Sequence, residues 1–154
     1  MNNSDKEQRK ERLGPLLGYL KLLMTALRAL PAFEDEDILY RGVRGDFLSI
    51  YKNCMESNKH ATWWGFSSVT LQMRVLSNAM FLGNSGERTM FLITRCKCGV
   101  NIGPLSEIPQ ELEVLLTPGV VFKVKEADRG AIADAGLVQV QLQVVDDGRE
   151  ALGI

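Results

Sequence analysis

The chain is poor in the residues on which much hydrolytic and metal chemistry depends. It holds one histidine, His60, and three cysteines, Cys54, Cys96 and Cys98. A single imidazole leaves a Ser-His-Asp triad without positional support, and the G-x-S-x-G elbow that exposes a serine nucleophile is absent. Zinc is poorly supported, because such a site takes four ligands and the histidine lies far along the chain from Cys96 and Cys98. Three cysteines cannot all pair within one chain, and a bridge between Cys96 and Cys98 would strain a single strand. They are expected as unbridged thiols, which favours a reducing compartment. Long apolar runs are missing as well: none approaches the roughly 20 residues that cross a bilayer. The opening "MNNSDKEQRKER" is too polar for the apolar part of a secretory signal. Neither charge dominates, with 18 lysines and arginines against 19 acids, mixed along the chain, which argues against a nucleic-acid binder.

What is present reads as one core. The 154 residues, 45% of them hydrophobic, suffice for one domain and not for two. A single domain over 1–154 is expected, with 1–12 flexible and 13–145 as the core. In "GPLLGYLKLLMTALRALPAF" the leucines Leu16, Leu20, Leu23, Leu27 and Leu30 recur three or four apart, predicting a helix laid on that core, with Pro15 in its first turn and Pro31 beyond its end. "DFLSIYKNCMESN" predicts a second helix with Asp46 as N-cap, and His60 is expected in a loop. "LQMRVLSNAMF" is also compatible with a helix, and residues 99–109 read as an irregular loop. "VVFKVK" and "LVQVQLQVV" alternate apolar with polar residues, as half-buried strands do. Regular strand-helix alternation and a glycine-rich phosphate loop are both lacking, so a doubly wound nucleotide fold is not supported.

Three stretches carry candidate chemistry. In "LYRGV", Arg41 ends a short strand and is followed by Gly42, where the backbone can approach a ligand and a guanidinium fork can grip a phosphate or ribose oxygen. In "WWGFSSVT", Ser67, Ser68 and Thr70 offer hydroxyls at a strand end, each both donor and acceptor. In "PQELEVLLTPGVVF", Glu111 and Glu113 stand two apart. On a strand they would share a face about 6.6 Å apart. Such a pair suits a glycosidic centre, and it equally suits a solvent-facing strand entrance.

Taken in order, the three stretches resemble the Arg-Ser-Glu class of mono-ADP-ribosyltransferases. "LYRGV" is similar to that family's first core strand, "FSSVT" to its Ser-Thr-Ser segment, and "ELEVLLTPGVVFKV" to its Glu-x-Glu strand and the strand after it. The resemblance covers approximately residues 16–145. It implies an α+β fold of two small antiparallel sheets packed around an NAD cleft, with flanking N-terminal helices. It further implies that NAD is the substrate, that no metal takes part, and that ADP-ribose passes to an arginine of a target protein as nicotinamide leaves. By this likeness Arg41, Ser68, Glu111 and Glu113 are the catalytic set, and Arg41, Gly42, Ser67, Ser68, Thr70 and Glu113 hold the dinucleotide. Val69 and Thr70 depart from the family's pattern. The expected protein is a monomer, without nucleic acid or membrane span, acting in a cytoplasm or delivered there as a secreted effector. NAD glycohydrolysis and a non-catalytic NAD-binding role are the competing readings.

Overall fold

The computed structural model describes residues 3–33, 37–78, 81–129 and 136–147. The chain divides into two compact units, Met1–Pro31 and Ala32–Ile154. The first is a single helix, α1 (Asn3–Ala29). Its leucine periodicity is helical as expected, but the helix starts at Asn3 and extends back through the polar segment expected to fray. Pro15 therefore sits inside it and not in its first turn, where a proline withholds one backbone N–H. Leu16 and Leu20 of that spacing are exposed.

Among its described residues the second unit has eight strands: β1 (Leu39–Arg44), β2 (His60–Trp63), β3 (Ser67–Thr70), β4 (Arg88–Thr94), β5 (Val100–Asn101), β6 (Glu113–Leu116), β7 (Val120–Arg129) and β8 (Leu137–Asp146). Their order across the sheet is β2-β7-β8-β4-β1-β3-β6-β5. Neighbours are antiparallel except β4 and β8, which run parallel. One joint in this sheet is thin. β1 pairs with β4 along its whole length, yet meets β3 through the single pair Tyr40↔Thr70. The sheet thus has a five-stranded half and a three-stranded half. Leu39, Phe91, Phe122, Val140 and Leu142 of the first share one core with Val69, Val114 and Leu116 of the second. Where two antiparallel sheets are expected from the sequence, the strands form one mixed sheet, with β4 and β8 parallel, whose two halves lie over a common core.

Alternation explains the long strands. In β7, Val120, Phe122 and Val124 are buried while Lys123 and Lys125 are exposed, and a register shift between Val124 and Glu126 turns Ala127 inward. Each such buried side chain contributes about 1.5–3 kcal/mol of apolar transfer. The second helix, α2 (Leu48–Glu56), lays Leu48, Tyr51, Cys54 and Met55 on the core. Its N-cap is Phe47 rather than Asp46, although the Asp46 carboxylate accepts the Leu48 N–H at 2.9 Å. That bond, followed by the ion pair with Arg129, holds the carboxyl below its ordinary range.

Several local expectations fail. His60 opens β2 instead of lying in a loop. The helix foreseen in "LQMRVLSNAMF" shrinks to a 3-10 turn, Met73–Ser77, and Ala79 lies outside the described residues. The span 99–109 contains β5 and a 3-10 turn, Gly103–Leu105. β4 ends at Thr94, short of the cysteines, because Arg95 takes a left-handed conformation with φ 56°.

Candidate active site

A cavity of about 470 Å³ opens where the two halves of the sheet part. Arg41 and Gly42 of β1, Ser68 and Thr70 of β3, and Glu111 and Glu113 line it, together with Tyr40, Val75, Leu76 and Phe81. Arg41 reaches across the joint: its Nη1 donates to the Ser68 carbonyl at 2.7 Å. Its guanidinium carbon lies 5.7 Å from the centre of the Trp63 ring, and Trp63 Nε1 donates to the Tyr51 hydroxyl at 2.9 Å. Burial lowers the pKa of Arg41, while Tyr51 acts in the opposite sense. A guanidinium keeps its charge in such surroundings, and the remaining donors of its fork are available to a ligand.

Gly42 lines the cavity, but what its missing side chain admits is Leu82. A Cβ at position 42 would lie 2.7 Å from the Leu82 Cβ. Ser67 is buried beside the site and does not line it; its hydroxyl donates to the Gly65 carbonyl at 3.3 Å. Thr70 is buried as well. Its hydroxyl donates to the Glu111 carbonyl at 2.5 Å and accepts the Gln72 N–H at 3.0 Å.

The two glutamates do not share a strand. Glu111 closes a 3-10 turn, Pro109–Glu111; Leu112 follows with φ 44° and ψ 51°, and only Glu113 opens β6, paired with Thr70. A leucine in the left-handed region costs about 1–2 kcal/mol. The two-residue alternation is therefore broken between the glutamates, yet both line the same cavity. Among the described residues no side chain hydrogen-bonds either carboxylate, so both keep acceptor capacity for a ligand. Glu111 also borders a second cavity, of about 440 Å³, with Gln72, Arg74, Ser77, Asn78 and Gln110. It stands between the two.

Sequence reasoning missed Trp63, Tyr51, Leu82 and Leu112. The first two are visible as an aromatic stretch and a helix face, but their convergence on Arg41 depends on how α2 and β2 meet the core. Among the described residues no group of three or more histidines, cysteines, aspartates or glutamates could hold a metal ion.

A mixed sheet parted around a cleft, with a helix packed on its core, is the α+β architecture of ADP-ribosyltransferases. The model of the NAD:arginine ADP-ribosyltransferase (ART) family matches residues 14–149, and the chain belongs to that family. Among solved structures it is similar to the ADP-ribosyltransferase HopU1 of Pseudomonas syringae, with 22% identity and a TM-score of 0.59 over 75% of this chain and 47% of that one. It is similar also to the Vis toxin of Vibrio splendidus, solved with agmatine, with 21% identity and a TM-score of 0.66 over 86% and 59%. An ADP-ribosyltransferase of Clostridium botulinum gives 18% identity and a TM-score of 0.62 over 85% and 70%. These likenesses establish the fold. The chain spans less than two thirds of the length of HopU1 and of Vis. No curated protein sequence matches it.

Proposed function

We propose that the chain is a mono-ADP-ribosyltransferase of the Arg-Ser-Glu class, which moves ADP-ribose from NAD to an arginine of a target protein and releases nicotinamide. One observation carries this reading: Arg41, Ser68, Glu111 and Glu113, drawn from separate segments, line a single cavity and bring a half-buried guanidinium together with two carboxylates. Such a cavity fits the dinucleotide in charge and in kind. The Arg41 fork suits a phosphate or ribose oxygen, and the Ser68 hydroxyl adds a neutral donor and acceptor. The Glu113 carboxylate stabilises positive charge developing on the sugar as nicotinamide departs, an interaction strongest in the transition state. Glu111, which borders the neighbouring cavity, receives the acceptor: a carboxylate and a guanidinium share a forked geometry, and the carboxylate takes up the proton as the new bond forms.

The unit Ala32–Ile154, which holds every residue of this set, is the catalytic core of this reading. Leu105 and Ile108, exposed at 71% and 52%, precede the glutamates and suit a protein-facing loop. The protein acts as a monomer inside a cytoplasm, its own or that of a cell into which it is delivered.

The test follows nicotinamide release from NAD by the protein and by its Glu113→Gln variant, with circular dichroism to compare folding. Loss of at least 100-fold in turnover at unchanged fold is expected, in keeping with about 3 kcal/mol for a preorganised electrostatic group. Equal turnover would overturn the assignment. Incubation with NAD and a cell lysate, followed by mass spectrometry, identifies the acceptor: ADP-ribose on arginine supports transfer, and nicotinamide released with every protein unmodified would make the chain a glycohydrolase.

A further inference from the structure

Cys96 and Cys98 play no part in the site just described. Both are buried, at 0% and 1% exposure, in the turn that follows β4. The left-handed Arg95 curls this segment, so the two thiols face each other with sulfurs 3.4 Å apart, and Cys96 Sγ also donates to the Cys98 carbonyl at 3.1 Å. On a straight strand two residues spaced this way would hold their sulfurs apart. The hydrogen bond from the Cys98 thiol lowers the pKa of Cys96, against the opposing effect of burial. Cys98 borders a surface cavity of about 680 Å³ with Thr94, Arg95, Lys97 and Asp146.

We propose that Cys96 and Cys98 are a redox couple that closes reversibly to an intramolecular disulfide, and that closure is transmitted to β6. The oxidant is a small hydroperoxide entering by the cavity. It oxidises one thiolate of the pair to a sulfenic acid, its O–O bond breaking to expel the alkoxide of the peroxide (hydroxide where the peroxide is hydrogen peroxide), which takes up a proton. The second sulfur then displaces the sulfenic oxygen, the S–S bond forms, and water leaves. In sum two thiols and one hydroperoxide give one disulfide, one water and the hydroxyl compound of the peroxide. Two equivalents of a small thiol reverse the change. The sulfurs must approach by about 1.3 Å to reach a bond length near 2.05 Å. A ring spanning two residues is strained, and strained disulfides are the readily reduced, regulatory kind.

Transmission follows from the neighbouring packing. Gly99 comes next, with φ 92°, and a Cβ there would lie 2.9 Å from both the Leu115 carbonyl and a methyl of Leu116. β5 then pairs Val100 with Leu115 and Asn101 with Val114. A shift of the turn has no slack to absorb it before β6, the strand that begins with Glu113.

The full chain carrying Cys54→Ser, and the unaltered chain beside it, are treated with stoichiometric hydrogen peroxide. Intact mass, alkylation of thiols and peptide mapping are read before and after dithiothreitol. A loss of two hydrogen atoms is expected, with Cys96 and Cys98 protected together and both recovered on reduction. In Cys96→Ser or Cys98→Ser this loss disappears. Added oxygen on either sulfur in place of the lost hydrogens, or undiminished alkylation of both, would overturn the couple. Hydrogen exchange at Val114–Leu116 is expected to change on oxidation while that of β7 and β8 holds; unchanged exchange in β6 would overturn the transmission.

Discussion

Replacing Thr70 by valine removes one hydroxyl and keeps the shape. That hydroxyl has two partners, the Glu111 carbonyl at 2.5 Å and the Gln72 N–H at 3.0 Å, and the residue is only 6% exposed. Each backbone group left unsatisfied in a buried place costs about 1–3 kcal/mol. The carbonyl of Glu111, on a partly exposed turn, regains some solvent, so the sum is about 2–4 kcal/mol of stability. Thr70→Ser is the companion variant. It keeps the hydroxyl and loses a methyl, at about 1 kcal/mol. Because the hydroxyl anchors the residue that carries the Glu111 carboxylate, the valine variant is also expected to lose transferase activity beyond what its folded fraction explains, and the serine variant to keep it. Urea unfolding of the two variants, with nicotinamide release and transfer to an arginine analogue measured under folding conditions, checks both parts. A valine variant as stable and as active as the serine one would refute the clamp.

Other perturbations separate the remaining residues. Arg41→Ala is expected to weaken NAD binding by about 2–5 kcal/mol in calorimetric titration, against about 0.5–1.5 kcal/mol for Ser68→Ala; equal losses would remove the special role of the guanidinium. Glu111→Gln should cut transfer to arginine at least tenfold more than NAD hydrolysis, and equal effects on the two reactions would count against its acceptor role. Gly42→Ala forces a contact of 2.7 Å with Leu82 and should destabilise the fold by about 1–3 kcal/mol. Adding Leu82→Ala should recover part of that loss, which thermal unfolding of the single and double variants will show.

Legibility tracked the range of the interactions involved. β7 and β8 were readable because one face of each meets the core and the other meets water, which writes a period of two into their residues. The candidate residues Arg41, Ser68, Glu111 and Glu113 could be named from three short stretches and line one cavity, yet their local geometry was misjudged. Glu111 and Glu113 look like strand neighbours because nothing in "ELE" announces that Leu112 adopts positive φ; that conformation is held by the Thr70 bond to Glu111 and the pairing of Glu113, both made by β3. Pro15 looks like a helix start, and only the continuation of the helix to Asn3 makes it internal. Gly42 suggested a ligand's approach, whereas its close neighbour is Leu82, far along the chain. The cysteine pair was judged on the geometry of a straight strand, which the left-handed Arg95 replaces.

Because β1 meets β3 through one pair only, Arg41, Gly42 and Val43 line the cleft from a strand edge that β3 does not cover. Beyond Tyr40, β1 continues to Arg44 with β4 on one side and, among the described residues, no strand pairing on the other. Peptide groups at such an edge are the same whatever side chains are attached to them. Main-chain donors and acceptors at such an edge are written in no residue letter, and alanine scanning will not remove them. An inhibitor that bonds to the β1 edge should accordingly be hard to escape by point mutation.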